Sequence, residues 1–416
     1  MTVKFEDAGR TRATVMAALE TMRDGDVDWR AGRAPLYVFS ATDEVADVGK
    51  EAFNAYFSEN ALGARRAFPS LLRMEREVIA MGLDLFHGPT ESAGNMTSGG
   101  TESIVMAVKA CRDWSRSTRG DPRHRGNLVL PASAHPAFDK AAAMMDLETR
   151  RVVLAPGYVA DPAAMAAAID ADTIMIVGSV PCFSYGTIDP IAALSDLAVR
   201  TGVWLHVDAC VGGWMAPFAA DIGRPIPDFD FALPGVRSIS ADLHKFGFTP
   251  KPASTIFYRA AELQAHQEFI FDTWPSGRFA TQTLVGTRAG GAVAAAWAVL
   301  RFLGRAGYRA IAADLMTMRD AYLDGLRAIP GMAIRGAPDL ANIAFGCDDV
   351  DIGEVATAMA ERGWLPGMVK TPPSLHLMLS LHHRDAREAY LRDLAASLAA
   401  VRAAAGARVA TTAAYT

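Results

Sequence analysis

Cysteine is scarce in this chain, and its placement excludes the sites that depend on it. The 416 residues include four cysteines, Cys111, Cys182, Cys210 and Cys347, which lie far apart. Their spacing matches neither a zinc site nor a disulfide framework. Scattered free cysteines are typical of a reducing compartment, so we expect a cytoplasmic protein that holds no metal.

Long apolar runs and basic runs are missing as well. No apolar segment reaches the ~20 residues that a membrane-spanning helix needs. Residues 1–7 carry charges where a secretion signal would have its apolar core. The net charge is -5, and no run of lysine and arginine marks a nucleic-acid or membrane surface. We therefore expect a small-molecule partner, no nucleic acid and no membrane span.

The composition is that of an ordinary globular enzyme, with 51% hydrophobic and 21% charged residues. From residue 127 onward, short β-branched strand patterns alternate with helical patterns, which predicts an α/β fold with a mainly parallel sheet between helices. After residue 290, long helical patterns and short strands predict a smaller α+β domain. We expect a helical N-terminal arm in residues 1–58, a large domain in 59–290 and a small C-terminal domain in 291–416.

One lysine stands out by its position. Lys245 follows His244 between two strand-like segments, at residues 238–240 and 255–258. Lysine is rarely buried unless it is paired or reactive. In an apolar pocket its pKa falls, and its amine can then attack a carbonyl carbon. The alternative is a surface lysine at the end of a strand, and this stretch alone does not separate the two.

A glycine-rich turn upstream is the second feature. Ser98, Gly99, Gly100 and Thr101 precede a helical pattern. Glycines let backbone N–H groups approach a phosphate, and the N-terminus of the following helix attracts the anion. Thr101 adds a hydroxyl donor. The alternative is a glycine turn that only caps a helix.

Two further polar residues follow predicted strands. His135 lies just after the strand at residues 128–130, where an imidazole can stack on an aromatic ring; the alternative is a helix-terminal histidine without a ligand. Asp208 closes an apolar strand, and its carboxylate is costly to bury unless paired. A protonated pyridine nitrogen is a suitable partner, while a helix cap or a metal ligand is the alternative. The nearby His206 supports a metal only weakly.

The order of these features favours one cofactor. A phosphate turn, a stacking histidine, a strand-end aspartate and a lysine would together hold pyridoxal 5'-phosphate (PLP), with Lys245 as its covalent attachment. Ligands of open α/β sheets bind at the ends of strands and the starts of helices, where all four features fall.

The motifs in this region also resemble a known family. The chain is similar to the group II PLP-dependent decarboxylase superfamily, and within it to the sphingosine-1-phosphate lyase family in its soluble bacterial form. The similarity extends from about residue 35 to about residue 385. It rests on residues 96–103, 134–141, 206–213, 240–247, 250–251 and 286–291.

The resemblance implies fold type I of PLP enzymes, an obligate dimer with active sites at the interface, and roles for named residues. Lys245 resembles the Schiff-base lysine, Asp208 the partner of the pyridine nitrogen and His135 the stacking histidine. The remaining matches are phosphate ligands (Gly100, Thr101 and His244), a residue that reaches the phosphate from the neighbouring subunit (Thr287), and a second active-site lysine (Lys251). Arg288, within a family motif, is a candidate carboxylate or phosphate binder.

The substrate side departs from the family pattern. Phe39 stands where the family has a tyrosine, Gly63 where it has a histidine, and residues 184–186 read Ser-Tyr-Gly instead of Pro-His-Gly. Lost polar groups disfavour a phosphorylated sphingoid base as the substrate.

The resemblance predicts an aldehyde-lyase that cleaves the Cα–Cβ bond of a β-hydroxy amine or amino acid. An amino-acid decarboxylase, or another PLP enzyme that forms a carbon–carbon bond, is the alternative. A binding protein that has lost catalysis is disfavoured, because Lys245, Asp208 and His135 are all present.

Overall fold

The computed structural model describes residues 3–413, and side chains up to residue 405. The described chain contains twelve α-helices: α1 (Arg12–Thr21), α2 (Asp43–Ala55), α3 (Pro69–Leu85), α4 (Gly100–Arg119), α5 (Ala137–Met145), α6 (Pro162–Ala168), α7 (Ile191–Thr201), α8 (Ala216–Asp221), α9 (Ala261–Ala265), α10 (Gly290–Arg327), α11 (Ile352–Glu361) and α12 (Arg387–Ala413).

The same residues form fifteen strands: β1 (Ala93–Thr97), β2 (Asn127–Pro131), β3 (Glu148–Val152), β4 (Leu154–Ala155), β5 (Val159–Ala160), β6 (Thr173–Ser179), β7 (Trp204–Asp208), β8 (Val236–Ala241), β9 (Ser254–Tyr258), β10 (Phe269–Phe271), β11 (Phe279–Thr281), β12 (Ala333–Ile334), β13 (Asn342–Gly346), β14 (Gly367–Val369) and β15 (Ser374–Met378).

A seven-stranded sheet forms the centre of the fold, in the order β1-β9-β8-β7-β6-β2-β3. Strands β8, β7, β6, β2 and β3 pair in parallel, and every residue of β2, β6 and β7 is buried. Strands that are covered on both faces read as continuous apolar runs. The predicted α/β architecture with a mainly parallel sheet is therefore confirmed.

Strand β9 is the exception to the parallel pairing. It pairs antiparallel with both β8 and β1. A parallel neighbour requires a crossover, usually through a helix, but residues 242–253 connect β8 to β9 without one. This short connection turns the chain back and places Lys245 in a loop at the carboxyl end of β8.

A second, antiparallel sheet follows α10, in the order β12-β13-β15-β14. Helix α10 changes direction at Gly304, whose φ of 52° and ψ of -176° lie outside the helical region. The sequence pattern predicts two helices here, at residues 292–303 and 308–329, and the kink at Gly304 lies between them. The domain boundaries at residues 58 and 290 remain predictions.

The two ends of the chain differ in how far the predictions can be checked. A loose tail is predicted for residues 410–416, but α12 continues to Ala413, and residues 414–416 lie outside the described range. None of the helices within residues 3–413 combines the length and the apolarity needed to cross a bilayer.

Candidate active site

A cavity of about 400 Å³ lies at the carboxyl edge of the parallel strands. Its wall combines the turn before α4, the residues after β2 and β6, the end of β7 and the loop after β8. Six of the predicted site residues line it: Gly100, Thr101, His135, Asp208, His244 and Lys245. The sequence predictions for these positions therefore converge on one cavity, as expected for the strand ends of an α/β sheet.

The turn before α4 has the form of an anion cradle. Helix α4 begins at Gly100 without a side-chain cap on its first N–H groups, and such groups have no partner within the helix itself. A Cβ at Gly100 would lie 2.8 Å from both Asp242 Oδ2 and Cys210 Sγ, so only glycine fits there. The open N–H groups and the close glycine packing suit a phosphate.

One carboxylate oxygen of Asp208 accepts hydrogen bonds, and the other has no partner among the described residues. Its Oδ1 accepts the Cys210 N–H at 3.1 Å and the Ser240 hydroxyl at 3.4 Å. No described residue donates to Oδ2, although the side chain is only 7% exposed. An oxygen of a buried aspartate on the cavity wall that lacks a partner among the described residues fits the protonated ring nitrogen of PLP.

His206, on the same strand, serves as support beneath Asp208. Its Nδ1 lies 2.7 Å from Ser238 Oγ and its Nε2 lies 3.1 Å from Ser240 Oγ. Burial lowers the pKa of His206 to about 4, although the Asp208 charge opposes the change. The imidazole is therefore neutral, and both of its nitrogens are occupied by serine hydroxyls rather than free for a metal.

Lys245 is paired with a buried acid, Asp242, that was not predicted from the sequence. Its Nζ lies 2.9 Å from Asp242 Oδ2. Burial is the largest single influence on the pKa of Lys245 and acts to lower it, but the charge and hydrogen bond of Asp242, together with nearby Cys210 and Asp208, raise the pKa above its ordinary value. The expectation of a lowered lysine pKa is therefore wrong for the chain without cofactor, because the surrounding acidic groups together outweigh desolvation.

The geometry around His244 fixes which of its nitrogens can donate. Nδ1 accepts the Ala253 N–H at 3.2 Å, so the proton resides on Nε2, which lies 3.6 Å from Asp242 Oδ2. Burial lowers the pKa of His244, with Asp242 opposing. A neutral histidine with an available Nε2–H is a suitable donor to a phosphate oxygen.

His135 and Phe183 form the opposite wall. His135 Nδ1 accepts the Ala137 N–H at 3.1 Å, which orients the ring at the start of α5. The Phe183 ring meets it edge-on, with 6.4 Å between centroids. Phe183 was missed in the sequence, although its place just after β6, the strand next to that of Asp208, was a usable signal.

Two predicted residues and one candidate lie outside the cavity. Lys251 is exposed and does not line it, although partial burial and the Lys245 charge lower the pKa of Lys251. Thr287 accepts a hydrogen bond from Asn60 Nδ2 at 3.2 Å. Arg288 forms a bidentate ion pair with Glu75, at 2.6 and 3.1 Å, and is therefore not free to bind a ligand.

A lysine and an aspartate that share a cavity with an uncapped, glycine-bounded helix start define a PLP-dependent enzyme of fold type I. Comparison with known proteins agrees. A family model described as the pyridoxal-dependent decarboxylase conserved domain matches residues 58–347. The chain belongs to the pyridoxal-dependent decarboxylase family and is a PLP-dependent lyase.

Individual proteins that are similar to this chain carry more specific names. A sphingosine-1-phosphate lyase of Oryza sativa is 39% identical over 398 residues, which span 94% of this chain and 73% of the relative. A solved sphingosine-1-phosphate lyase structure from Burkholderia pseudomallei superposes with a TM-score of 0.92 at 37% identity, covering 99% of this chain and 96% of the other. A probable L-aspartate decarboxylase of Pyrococcus furiosus is 34% identical over 362 residues, or 87% of this chain and 94% of the relative.

Proposed function

We propose that this lyase cleaves the Cα–Cβ bond of a β-hydroxy amine and releases an aldehyde. The observation that carries the proposal is the shared cavity of Lys245, Asp208 and the phosphate turn, in a chain whose relatives include sphingosine-1-phosphate lyases. Within the described residues, no arginine borders this cavity, while Glu102, Asp208 and Asp242 do. An α-carboxylate would therefore find no guanidinium partner there, which favours an amine over an amino acid.

The cofactor-holding roles follow from the residues that line the cavity. Lys245 Nζ would attach PLP covalently, and Asp208 Oδ2 would accept the ring N–H. The N–H groups at Gly100 and Thr101, with His244 Nε2–H, would bind the phosphate, and His135 would lie against the ring. When bound, PLP supplies an electron-withdrawing ring that weakens a bond at the substrate's α-carbon.

Proton transfer falls to the lysines. As the Cα–Cβ bond breaks, a base would take the β-hydroxyl proton, and Lys245 Nζ would then return a proton to Cα. Lys251, which does not line the cavity, is the second candidate for this proton return. The lowered pKa of Lys251 increases the neutral fraction of its amine. A proton carrier works best when its pKa approaches the working pH.

The substrate side supports an unphosphorylated β-hydroxy amine. Phe39 packs edge-on against Phe246, with 4.9 Å between centroids, and does not line the cavity. Gly63 borders a separate outer cleft of about 730 Å³. Neither position supplies a polar group to the cavity, so a substrate phosphate would find no donor from them.

A decarboxylase is the second candidate, favoured by the similarity to the Pyrococcus furiosus protein. Both reactions use the same cofactor and differ only in the bond that breaks. The purified enzyme, loaded with PLP, should release aldehyde from a panel of β-hydroxy amines. The kcat/KM for aldehyde release should be at least about tenfold above that for carbon dioxide release from any of the common L-amino acids, since a buried unpaired carboxylate costs more than 1 kcal/mol.

The two products are measured in parallel, aldehyde with a coupled dehydrogenase and carbon dioxide from carboxyl-labelled amino acids. Carbon dioxide from L-aspartate without aldehyde from any amine would favour the decarboxylase. Turnover of a phosphorylated β-hydroxy amine far above its unphosphorylated form would contradict the substrate proposal while leaving the reaction class intact.

We further propose that the chain is a cytoplasmic homodimer. The segment around β10 and β11 exposes large apolar side chains, each between 43% and 55% accessible: Phe269, Ile270, Phe271, Trp274, Leu284 and Val285. Phe269 and Trp274 both pack against Phe279, so part of this exposed apolar surface is contiguous, as is typical of a contact surface. Thr287 follows this segment in the chain, and its role at the neighbouring site is part of the dimer proposal.

The dimer predicts a solution mass near twice that of one chain, measured by light scattering after size exclusion. Phe271→Asp places a charge in the patch and should shift the mass toward the monomer. Val199→Asp, at an equally exposed apolar position on α7, is the control and should leave the mass unchanged. A wild-type monomer at micromolar concentration would contradict the proposal.

A further inference from the structure

A buried acid stands beside the phosphate turn without a cation. Glu102 is the third residue of α4 and is only 5% exposed. No lysine, arginine or histidine forms an ion pair with it among the described residues. A carboxylate is costly to bury unless its oxygens are fully hydrogen-bonded. Its charge also opposes a phosphate bound at the same turn, so its presence needs a reason other than cofactor attraction.

The reason lies in what its two oxygens hold. Oε2 accepts the Ser98 N–H at 2.7 Å and the Ser98 hydroxyl at 2.5 Å, so the carboxylate reaches back to the turn. Oε1 accepts the N–H of Leu284 at 2.9 Å, from a segment 182 residues away in the sequence. The N-terminus of α4 adds a favourable dipole. One carboxylate therefore connects the turn to a distant loop.

The loop in question is the segment 283–288, which carries Thr287. Its far end is fixed by the Arg288–Glu75 ion pair, and Glu75 Oε1 also accepts the N–H of Met96, at 3.1 Å in β1. The loop is thus held at one end to α4 through Glu102 and at the other to α3 and β1 through Glu75. The side chains of Leu284 and Val285 are nevertheless exposed.

We propose that Glu102 is a positioning residue that sets the phosphate-binding turn and holds the 283–288 loop against it as one unit. The inference rests on the proposed binding of the cofactor phosphate at Gly100 and Thr101. An amide cannot replace the carboxylate, because donors approach both oxygens. In Glu102→Gln, the side-chain NH₂ must face an N–H or a hydroxyl donor, either at Ser98 or at Leu284.

The test compares PLP with pyridoxal, which has the same ring and aldehyde but no phosphate. Dissociation constants are measured by absorbance and fluorescence titration of the full-length protein. Glu102→Gln should weaken PLP binding by at least about tenfold, because the loss of a hydrogen bond to a charged group displaces the turn and this outweighs the relief of repulsion between Glu102 and the phosphate. Pyridoxal binding should change less than about twofold. Glu44→Gln, in the exposed first turn of α2, is the matched control and should change neither.

Hydrogen exchange gives a second readout that does not depend on turnover. Adding PLP to the wild type should slow amide exchange across residues 282–288, and Glu102→Gln should abolish that protection. If Glu102→Gln fails to fold, Ser98→Ala removes one of the three donors and should show the same PLP-selective loss at smaller size.

The possible outcomes distinguish a failure of the phosphate site from a failure of the positioning role of Glu102. If the wild type binds pyridoxal as tightly as PLP, the phosphate assignment itself fails. If the wild type prefers PLP but Glu102→Gln binds both ligands as the wild type does, the phosphate site stands and the positioning role is wrong. An equal loss for both ligands would also overturn it, because that result indicates a general structural role.

Discussion

Replacing Lys245 with alanine should give a colourless protein whose turnover falls by at least about a thousandfold, since the covalent attachment that defines the reaction is removed. In the wild type, borohydride reduction should fix the cofactor to the peptide that contains Lys245, as detected by mass spectrometry. The same treatment of Lys245→Ala should yield no modified peptide. Lys140→Ala, an exposed lysine on α5, should keep both colour and activity.

The Asp242 pair complicates the alanine variant. Removing the Lys245 charge leaves Asp242 buried, at 2% exposure, without its 2.9 Å cation. Breaking a buried pair from one side costs roughly 3–5 kcal/mol of unfolding free energy. Lys245→Arg keeps a cation next to Asp242 but cannot form the covalent link. It should therefore be equally inactive yet more stable than Lys245→Ala; full activity in either variant would remove Lys245 from its proposed role.

The central sheet was predictable because strands that are buried on both faces have continuous apolar sequences. Every residue of β6 and β7 is buried, and their apolar, β-branched runs predict strands. Strand β1 has no such apolar pattern in its sequence. Its sequence, Ala-Gly-Asn-Met-Thr, has little intrinsic strand preference, and it becomes a strand because β9 pairs with it along its whole length.

The candidate site was predictable in part for a similar reason. Strand ends and helix starts of an α/β sheet meet at one edge, so the positions of His135, Asp208 and Lys245 along the chain suffice to bring them together. The charge state of Lys245 was not predictable, because it depends on the summed effect of Asp242, Cys210 and Asp208 against burial. The Glu102–Leu284 contact joins two segments that are distant in the sequence, so no local sequence pattern predicts it.

Asp208→Asn should lower kcat by about 100-fold or more while the enzyme still binds PLP. Asn Oδ1 can still accept the Cys210 N–H and the Ser240 hydroxyl, so the strand end should keep its shape. The amide NH₂ then occupies the place of Oδ2, where a donor faces the ring nitrogen and disfavours its proton. Loss of one preorganised electrostatic contact of this kind costs on the order of 100-fold in rate.

Asp189→Asn is a matched control for this variant. Asp189 is fully buried after the adjacent strand β6 and accepts the N–H groups of Ala160 and Ser179 at 2.6 and 2.7 Å, but it does not line the cavity. Its replacement should reduce stability with little change in kcat.

PLP content, kcat and thermal unfolding are measured on both variants. A kcat for Asp208→Asn within about threefold of the wild type would contradict the role of Oδ2. Loss of PLP without a change in kcat of the loaded fraction would instead make Asp208 an anchor for the ring. The measured split between retention and rate therefore decides whether this carboxylate holds the cofactor or tunes it.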